Sequence, residues 1–291
     1  MPSPIRIAIF GTTGSGKTSF INCATGTDLG VGHEADSATK NIQQAVVPSD
    51  KVGQRKVILV DTPGFSDTDL EDPQLFLKIA NWIAKSHNSG EPLNGAIFLQ
   101  SISQPRVVKS EKDAVELFEK IVGSQASPQV VVASSMWDTL KYSATGNKNE
   151  SNRKGVWSNL EDGKAKFARF YNNEDSSLEI VRQFLNFPQT TFQLVEELRK
   201  SKGLVWDTSA GTFLKTNLDV RIQQTDEQIR IVGNTTARLK KTLARLKEWA
   251  RTFTTATIAG TNLVWTTMKV GGSLLQDVLI LVDDFVPYMG N

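Results

Sequence analysis

The run Gly11-Thr12-Thr13-Gly14-Ser15-Gly16-Lys17-Thr18 sets three glycines, one lysine and one hydroxyl at the spacing GxxxxGK[ST]. Glycines let the backbone turn with its amide hydrogens inward, so the loop makes a concave nest for phosphate. Lys17 can then reach the β- and γ-phosphates, and the Thr18 hydroxyl can bind Mg²⁺. This chemistry requires a strand before the loop and a helix after it. Apolar Ile5 to Phe10 supplies the first, and Lys17-Thr18-Ser19-Phe20-Ile21 opens the second. The pattern predicts a nucleotide site lined by Gly11, Thr12, Thr13, Gly14, Ser15, Gly16, Lys17, Thr18 and Ser19.

A second motif, Lys56 to Gly64, reads as a buried Val- and Ile-rich strand that ends in Asp61-Thr62-Pro63-Gly64. Asp61 is placed to hold Mg²⁺ through a water. The Gly64 amide can bond a γ-phosphate and let go after hydrolysis, the basis of an order–disorder switch. A third apolar strand, Gln129 to Ser134, runs into Ser135-Met136-Trp137-Asp138. Asp138 carries a carboxylate able to accept from guanine N1 and N2 hydrogens. Trp137 either stacks on the base or packs in the core.

These segments resemble P-loop GTPases of the septin and immunity-associated (GIMAP, AIG-type) kind, and the Met-Trp-Asp ending is similar to uncharacterised fungal G-domain proteins. The resemblance rests on Thr12-Thr13-Gly14-Ser15-Gly16-Lys17-Thr18 and on Asp61-Thr62-Pro63-Gly64-Phe65-Ser66-Asp67, and covers residues 5 to about 200. It implies GTP and GDP as ligands with Mg²⁺, and it implies guanine reading by Asp138. It also implies that Thr39, in the polar stretch His33 to Lys40, closes over Mg²⁺ and the γ-phosphate. The set expected in catalysis is then Lys17, Thr39 and Gly64, with Thr18, Thr39 and Asp61 on the metal. Two departures stand out. Met136 occupies the place of the lysine that lies over the base, giving dispersion without charge. Phe65 follows Gly64 where a water-positioning glutamine would help hydrolysis. Slow turnover follows, assisted either by a second copy across a nucleotide-facing homodimer or by a separate activating protein. The alternatives are a GTP-binding scaffold with little hydrolysis, and an ATPase in which Asp-Thr-Pro-Gly is coincidental.

The elements that must hold these residues alternate as in an α/β, doubly wound, mostly parallel P-loop NTPase sheet. Strands are expected at 5–10, 42–48, 56–61, 95–100, 129–134 and 166–170. Helices are expected at 16–25, 73–86, 109–122 and 176–200, and 141–163 reads as a long surface loop. Arg169-Phe170-Tyr171-Asn172 is a candidate for the last guanine-side loop. The domain reading is 1–205 for nucleotide binding, 206–253 for a long amphipathic helix and 254–291 for an apolar C-terminal helical segment. In the second region Leu218, Ile222, Thr225, Ile229, Val232, Thr236, Leu239, Leu243, Leu246, Ala250 and Phe253 follow at spacings of four and three. That helix either folds back on the core or meets a partner. Residues 217–251 hold eight Lys or Arg against four Asp or Glu. This is either a solvated face or a surface for an acidic protein or a membrane.

A hydrophobic content of 39% and a charged content of 22% suit a folded soluble chain. The single cysteine, Cys23, and the immediate start into a strand at Ile5 point to a reducing, cytoplasmic setting. A net charge of +2 gives no electrostatic case for nucleic acid.

Overall fold

Six apolar runs assemble into one sheet of order β2-β3-β1-β4-β5-β6. These are β1 (Ile5–Gly11), β2 (Gln43–Val47), β3 (Val57–Asp61), β4 (Gly95–Ser101), β5 (Val130–Ser135) and β6 (Lys166–Arg169). The structure is a computed structural model that describes residues 3–29, 42–65, 73–157, 165–232, 237–254, 256–259 and 262–265. Every pairing is parallel except β2 with β3. Strands β1, β3 and β5 are buried along their whole length, which explains why they read as near-continuous apolar runs rather than as alternating ones.

Helices cover both faces. On one lie α1 (Lys17–Thr25) and α5 (Glu174–Arg182), packed over Ile7, Ile9, Leu59 and Val131. On the other lie α2 (Pro73–Asn88), α3 (Lys109–Val122) and α6 (Gln193–Lys200), packed over Ala8, Phe10, Val60 and Phe98. Alternate residues of β1 thus serve the two layers, the period-two consequence of a pleated strand.

Two expectations are corrected inside this domain. The stretch 176–200 is two helices, α5 and α6, because Leu185 to Thr191 turns between them and carries Pro188, which cannot continue a helix. The expected loop at 141–163 contains α4 (Ser143–Lys154). Its composition hides it, since it is polar throughout and is held by side-chain bonds rather than by an apolar stripe.

The region expected as one helix at 217–253 is two, α7 (Ser209–Val232) and α8 (Ala237–Thr254). Twenty-four helical residues carry the chain about 36 Å away from Gly203. Ile258 nevertheless donates its amide to the Gly203 carbonyl at 2.8 Å, so α8 must return antiparallel to α7. The heptad residues whose side chains are described form the inner face of this hairpin. Leu218, Thr225 and Leu246 are buried and Ile222, Ile229, Leu239, Leu243 and Ala250 are half-buried. Leu246→Ala is expected to lower stability by about 2–3 kcal/mol, visible as a lower urea midpoint with little change in slope. After α8, Ala256–Ala259 (β7) and Asn262–Trp265 (β8) pair as antiparallel strands, in place of the helix expected from 254 onward. Residues 266–291 of that segment lie outside the described residues. No helix among the described residues is long and apolar enough to cross a membrane.

Candidate functional site

The strand order reverses at β1, whose neighbours are β3 on one side and β4 on the other. Open α/β sheets bind ligands outside the carboxyl ends of the strands at such a point. Gly11 ends β1 there and Asp61 ends β3. Gly16, at φ 89° in the left-handed region, turns the chain into α1, and no side chain caps that helix. The first-turn amides of α1 are therefore left to an anion.

Lys17 is buried, and its Nζ donates to the carbonyls of Gly11 at 3.2 Å and Thr12 at 3.0 Å. The second motif is stitched to the same loop. Phe65 donates its amide to the Gly11 carbonyl at 3.0 Å, and Thr62 Oγ1 donates to the Ile9 carbonyl at 2.6 Å. Gly64 closes this contact. A Cβ there would stand 2.7 Å from Lys17 Nζ and 2.8 Å from the Thr13 backbone. Thr18 Oγ1 donates to Asp61 Oδ2 at 3.0 Å, and Asp61 is fully buried. With its proton given to Asp61, the Thr18 oxygen keeps lone pairs for a cation, and both groups are hard oxygen donors of the kind Mg²⁺ takes. The residues present fit that ion. Phe65 is buried against Phe10, with ring centroids 6.2 Å apart, so its side chain belongs to the core. Thr39 and His33 lie outside the described residues.

On the base side, Ser135 Oγ donates to the Ser15 carbonyl at 2.7 Å and ties β5 to the phosphate loop. Met136 takes the left-handed conformation at φ 66°, and its Cε lies 3.5 Å from where a Cβ on Gly16 would sit. It covers the start of α1. Trp137 is turned into packing: its Nε1 donates to Ser134, and its ring lies under the Arg169 guanidinium at 4.3 Å and beside Tyr171 at 5.7 Å. Two hydrogen bonds to Glu150 hold Arg169 charged beyond the usual guanidinium range.

Asp138 is exposed, and its Oδ2 accepts from Asn172 Nδ2 at 2.9 Å. Residues 34 apart thus meet at one point. Asn172 is itself left-handed, at φ 55°, which asparagine tolerates better than most residues. Sequence reasoning located this loop but not the pairing. The Asn172-Asn173 doublet before a helix was the available signal, for Asn173 also caps α5 by accepting from the Ser176 amide at 2.9 Å. Cys23 lies beside this loop. Burial, then the carboxylates of Asp138 and Glu174, push its thiol up.

Helix α4 joins the two sides of the site. Arg153 bonds Glu111 at 2.7 and 3.3 Å, Gln100 donates to Glu111 at 3.0 Å, and Trp157 donates to Gln100 at 2.8 Å. Glu111 and Arg153 of this network line a cleft of about 360 Å³ that opens beside Thr12, Thr13 and Gly14 and is also lined by Gln104 and Arg106.

A six-stranded sheet with this loop, this helix and this second motif has the fold of a P-loop GTPase G domain. Residues 6–133 match the family described as 50S ribosome-binding GTPase. The chain is 25% identical over 227 residues to Interferon-gamma-inducible GTPase 10 of Mus musculus, covering 75% of this chain and 50% of that protein. It therefore spans about half the length of that curated relative. Among solved structures, Toc33 from Arabidopsis thaliana in complex with GDP and Mg²⁺ shares the fold at a TM-score of 0.50 and 14% identity, over 64% of this chain and 84% of that one. A chain of the chloroplast translocon components atToc33 and psToc159 does so at 0.52 and 13%, over 65% and 86%.

Proposed function

We propose that the chain is a Mg²⁺-dependent guanine-nucleotide switch that hydrolyses GTP slowly. The observation that carries this reading is the junction of the two phosphate motifs: Thr18 bonded to Asp61, with Gly64 closed onto Lys17 and Thr13. On binding, Lys17 exchanges its two loop carbonyls for β- and γ-phosphate oxygens, and the amides of Gly14 to Thr18 surround the phosphates. Thr18 and Thr39 would hold Mg²⁺ directly and Asp61 would hold it through a water. The ion, when bound, neutralises charge on the phosphates. The Gly64 amide donates to the γ-phosphate, so loss of that phosphate releases the segment that follows. Asp138, held by Asn172, accepts from guanine.

Gly64→Ala is expected to weaken binding of a GTP analogue about tenfold while leaving GDP nearly unchanged, because its methyl group separates Lys17 and Thr13 from the second motif. Comparative titration of the two nucleotides reads this out. Asp138→Asn tests base choice. Guanine affinity should fall about thirtyfold and xanthine affinity should rise, since an amide inverts one donor–acceptor pair, worth roughly 2 kcal/mol. Unchanged preference among GTP, XTP and ATP would remove Asp138 from base reading and favour the ATPase reading.

Phe65 supports a second reading, a GTP-binding scaffold with little hydrolysis, because the position after Gly64 is spent on the core. A homodimer across the nucleotide face would supply the missing help, as dimerization is described as important for the GTPase activity of atToc33 and psToc159. The likeness of the motifs to septins and immunity-associated GTPases supports the same arrangement. Single-turnover hydrolysis at rising protein concentration separates the two: a specific rate that climbs with concentration supports the dimer, and a flat, negligible rate supports the scaffold.

A further inference from the structure

We propose, resting on the reading of this chain as a GTP hydrolase, that Gln104 orients the attacking water from within the same chain, the task that Phe65 cannot perform. Phe65 is buried against Phe10, so the position after Gly64 presents no polar group. A substitute must come from another element at the γ-phosphate end of the site. Thr13 marks that end: a Cβ on Gly64 would lie 2.8 Å from its backbone and 2.7 Å from Lys17 Nζ. The cleft of about 360 Å³ opens there, lined by Thr13, Gly14 and Phe65 and by the loop between β4 and α3.

Chemistry selects among the side chains that line it. Glu111 and Arg153 are bonded to each other, and Ser103 Oγ lies 2.9 Å from Ser101 Oγ. Gln104 and Arg106 are exposed, and among the described residues no hydrogen bond or ion pair engages either side chain. A guanidinium only donates, so Arg106 can meet phosphate charge but cannot accept a hydrogen from water. A hydroxyl such as that of Ser110 has one oxygen for both roles. The Gln104 amide separates them: Oε1 accepts from the water while Nε2 donates to a γ-phosphate oxygen.

The loop that carries Gln104 is held on both sides by α4. Asn149 Nδ2 donates to the Ile102 carbonyl at 2.9 Å and Asn152 Nδ2 to the Pro105 carbonyl at 3.3 Å, and Pro105 fixes its own backbone torsion. The backbone is thus pinned before and after Gln104 while its amide stays available to substrate. Water positioning needs such a fixed base, since an error of about 1 Å costs about a hundredfold in rate. In the step itself the water oxygen bonds the γ-phosphorus, the bond to the β–γ bridging oxygen breaks, and that oxygen leaves with the electron pair on GDP. The water's protons end on inorganic phosphate and solvent, and Gln104 is unchanged.

Single-turnover hydrolysis by the whole chain at low protein concentration tests this. Gln104→Ala should lower the rate constant about tenfold to a hundredfold, while affinity for GDP and for a GTP analogue and the melting temperature stay unchanged. Binding of GDP with aluminium fluoride, a mimic of the phosphoryl group in transfer, should weaken by a similar factor, a loss that a merely structural residue does not produce. Added Lys17→Ala chain, which carries Gln104 but does not hold nucleotide, should not restore the rate of the Gln104→Ala chain. A full rate in Gln104→Ala, a loss confined to Arg106→Ala, or rescue by the added chain overturns the proposal. A parallel loss of nucleotide affinity also overturns it, by making Gln104 structural. If the unaltered chain binds GTP and releases no phosphate, the hydrolase reading itself fails and the proposal with it.

Discussion

Lys17→Ala is expected to weaken binding of GTP and GDP at least a hundredfold while the domain stays folded. Both halves follow from the loop. The ammonium is buried and donates to the Gly11 and Thr12 carbonyls, so it is already oriented into the phosphate nest. Its replacement removes two charge-assisted hydrogen bonds to phosphate, each worth about 1.5–3 kcal/mol, and 3 kcal/mol is already more than a hundredfold. The carbonyls it leaves are not orphaned. Gly11 still accepts from the Phe65 amide at 3.0 Å and Thr12 from the Ser15 amide at 3.1 Å. Titration with fluorescent nucleotide analogues, paired with a thermal melt, reads both outcomes. A loss smaller than tenfold would mean that phosphate is held elsewhere.

Arg153→Ala should be the most destabilising single change in the G domain outside the apolar core, at about 3–5 kcal/mol and a fall in melting temperature of roughly 10 °C. The guanidinium side chain is 4% exposed and its partner Glu111 12%. Truncation leaves a buried carboxylate facing only the Gln100 amide. The cost is the stranded charge more than the worth of the pair, so Glu111→Gln combined with Arg153→Met should recover much of the loss. A double-mutant cycle on melting free energies measures that recovery, and additive losses would show that the two side chains act independently.

Much of the site was legible because its chemistry is local. The phosphate loop needs its glycines and Lys17 at fixed spacing within one turn of chain, and the strand and helix that hold it adjoin it. The same holds for Asp61 at the end of a buried strand. The base side was less legible. Asp138 could be read from the end of its strand, but the Asn172 amide that holds it comes from the loop after β6, and only the parallel pairing of β5 with β6 brings them together.

Helix α4 was read as loop because pattern reading looks for apolar periodicity, and this helix is anchored by Asn149, Glu150 and Arg153 to Ile102 just past β4 and to residues on α3, β5 and β6. Such anchors are invisible until their partners are placed.

By itself, the sequence determined the alternating strands and helices, the phosphate loop at the end of the first strand and the helical phase of the C-terminal seam. Each depends on neighbours within a few residues, where spacing alone fixes which side chains share a face. The tertiary structure decided what those faces meet. It turned Phe65 into the core, joined Thr18 to Asp61 across 43 positions, and folded the heptad stripe onto itself, so that the apolar face of the hairpin is satisfied internally and its cations are left outside. Contacts at that separation depend on the path of the whole chain, which no local spacing encodes.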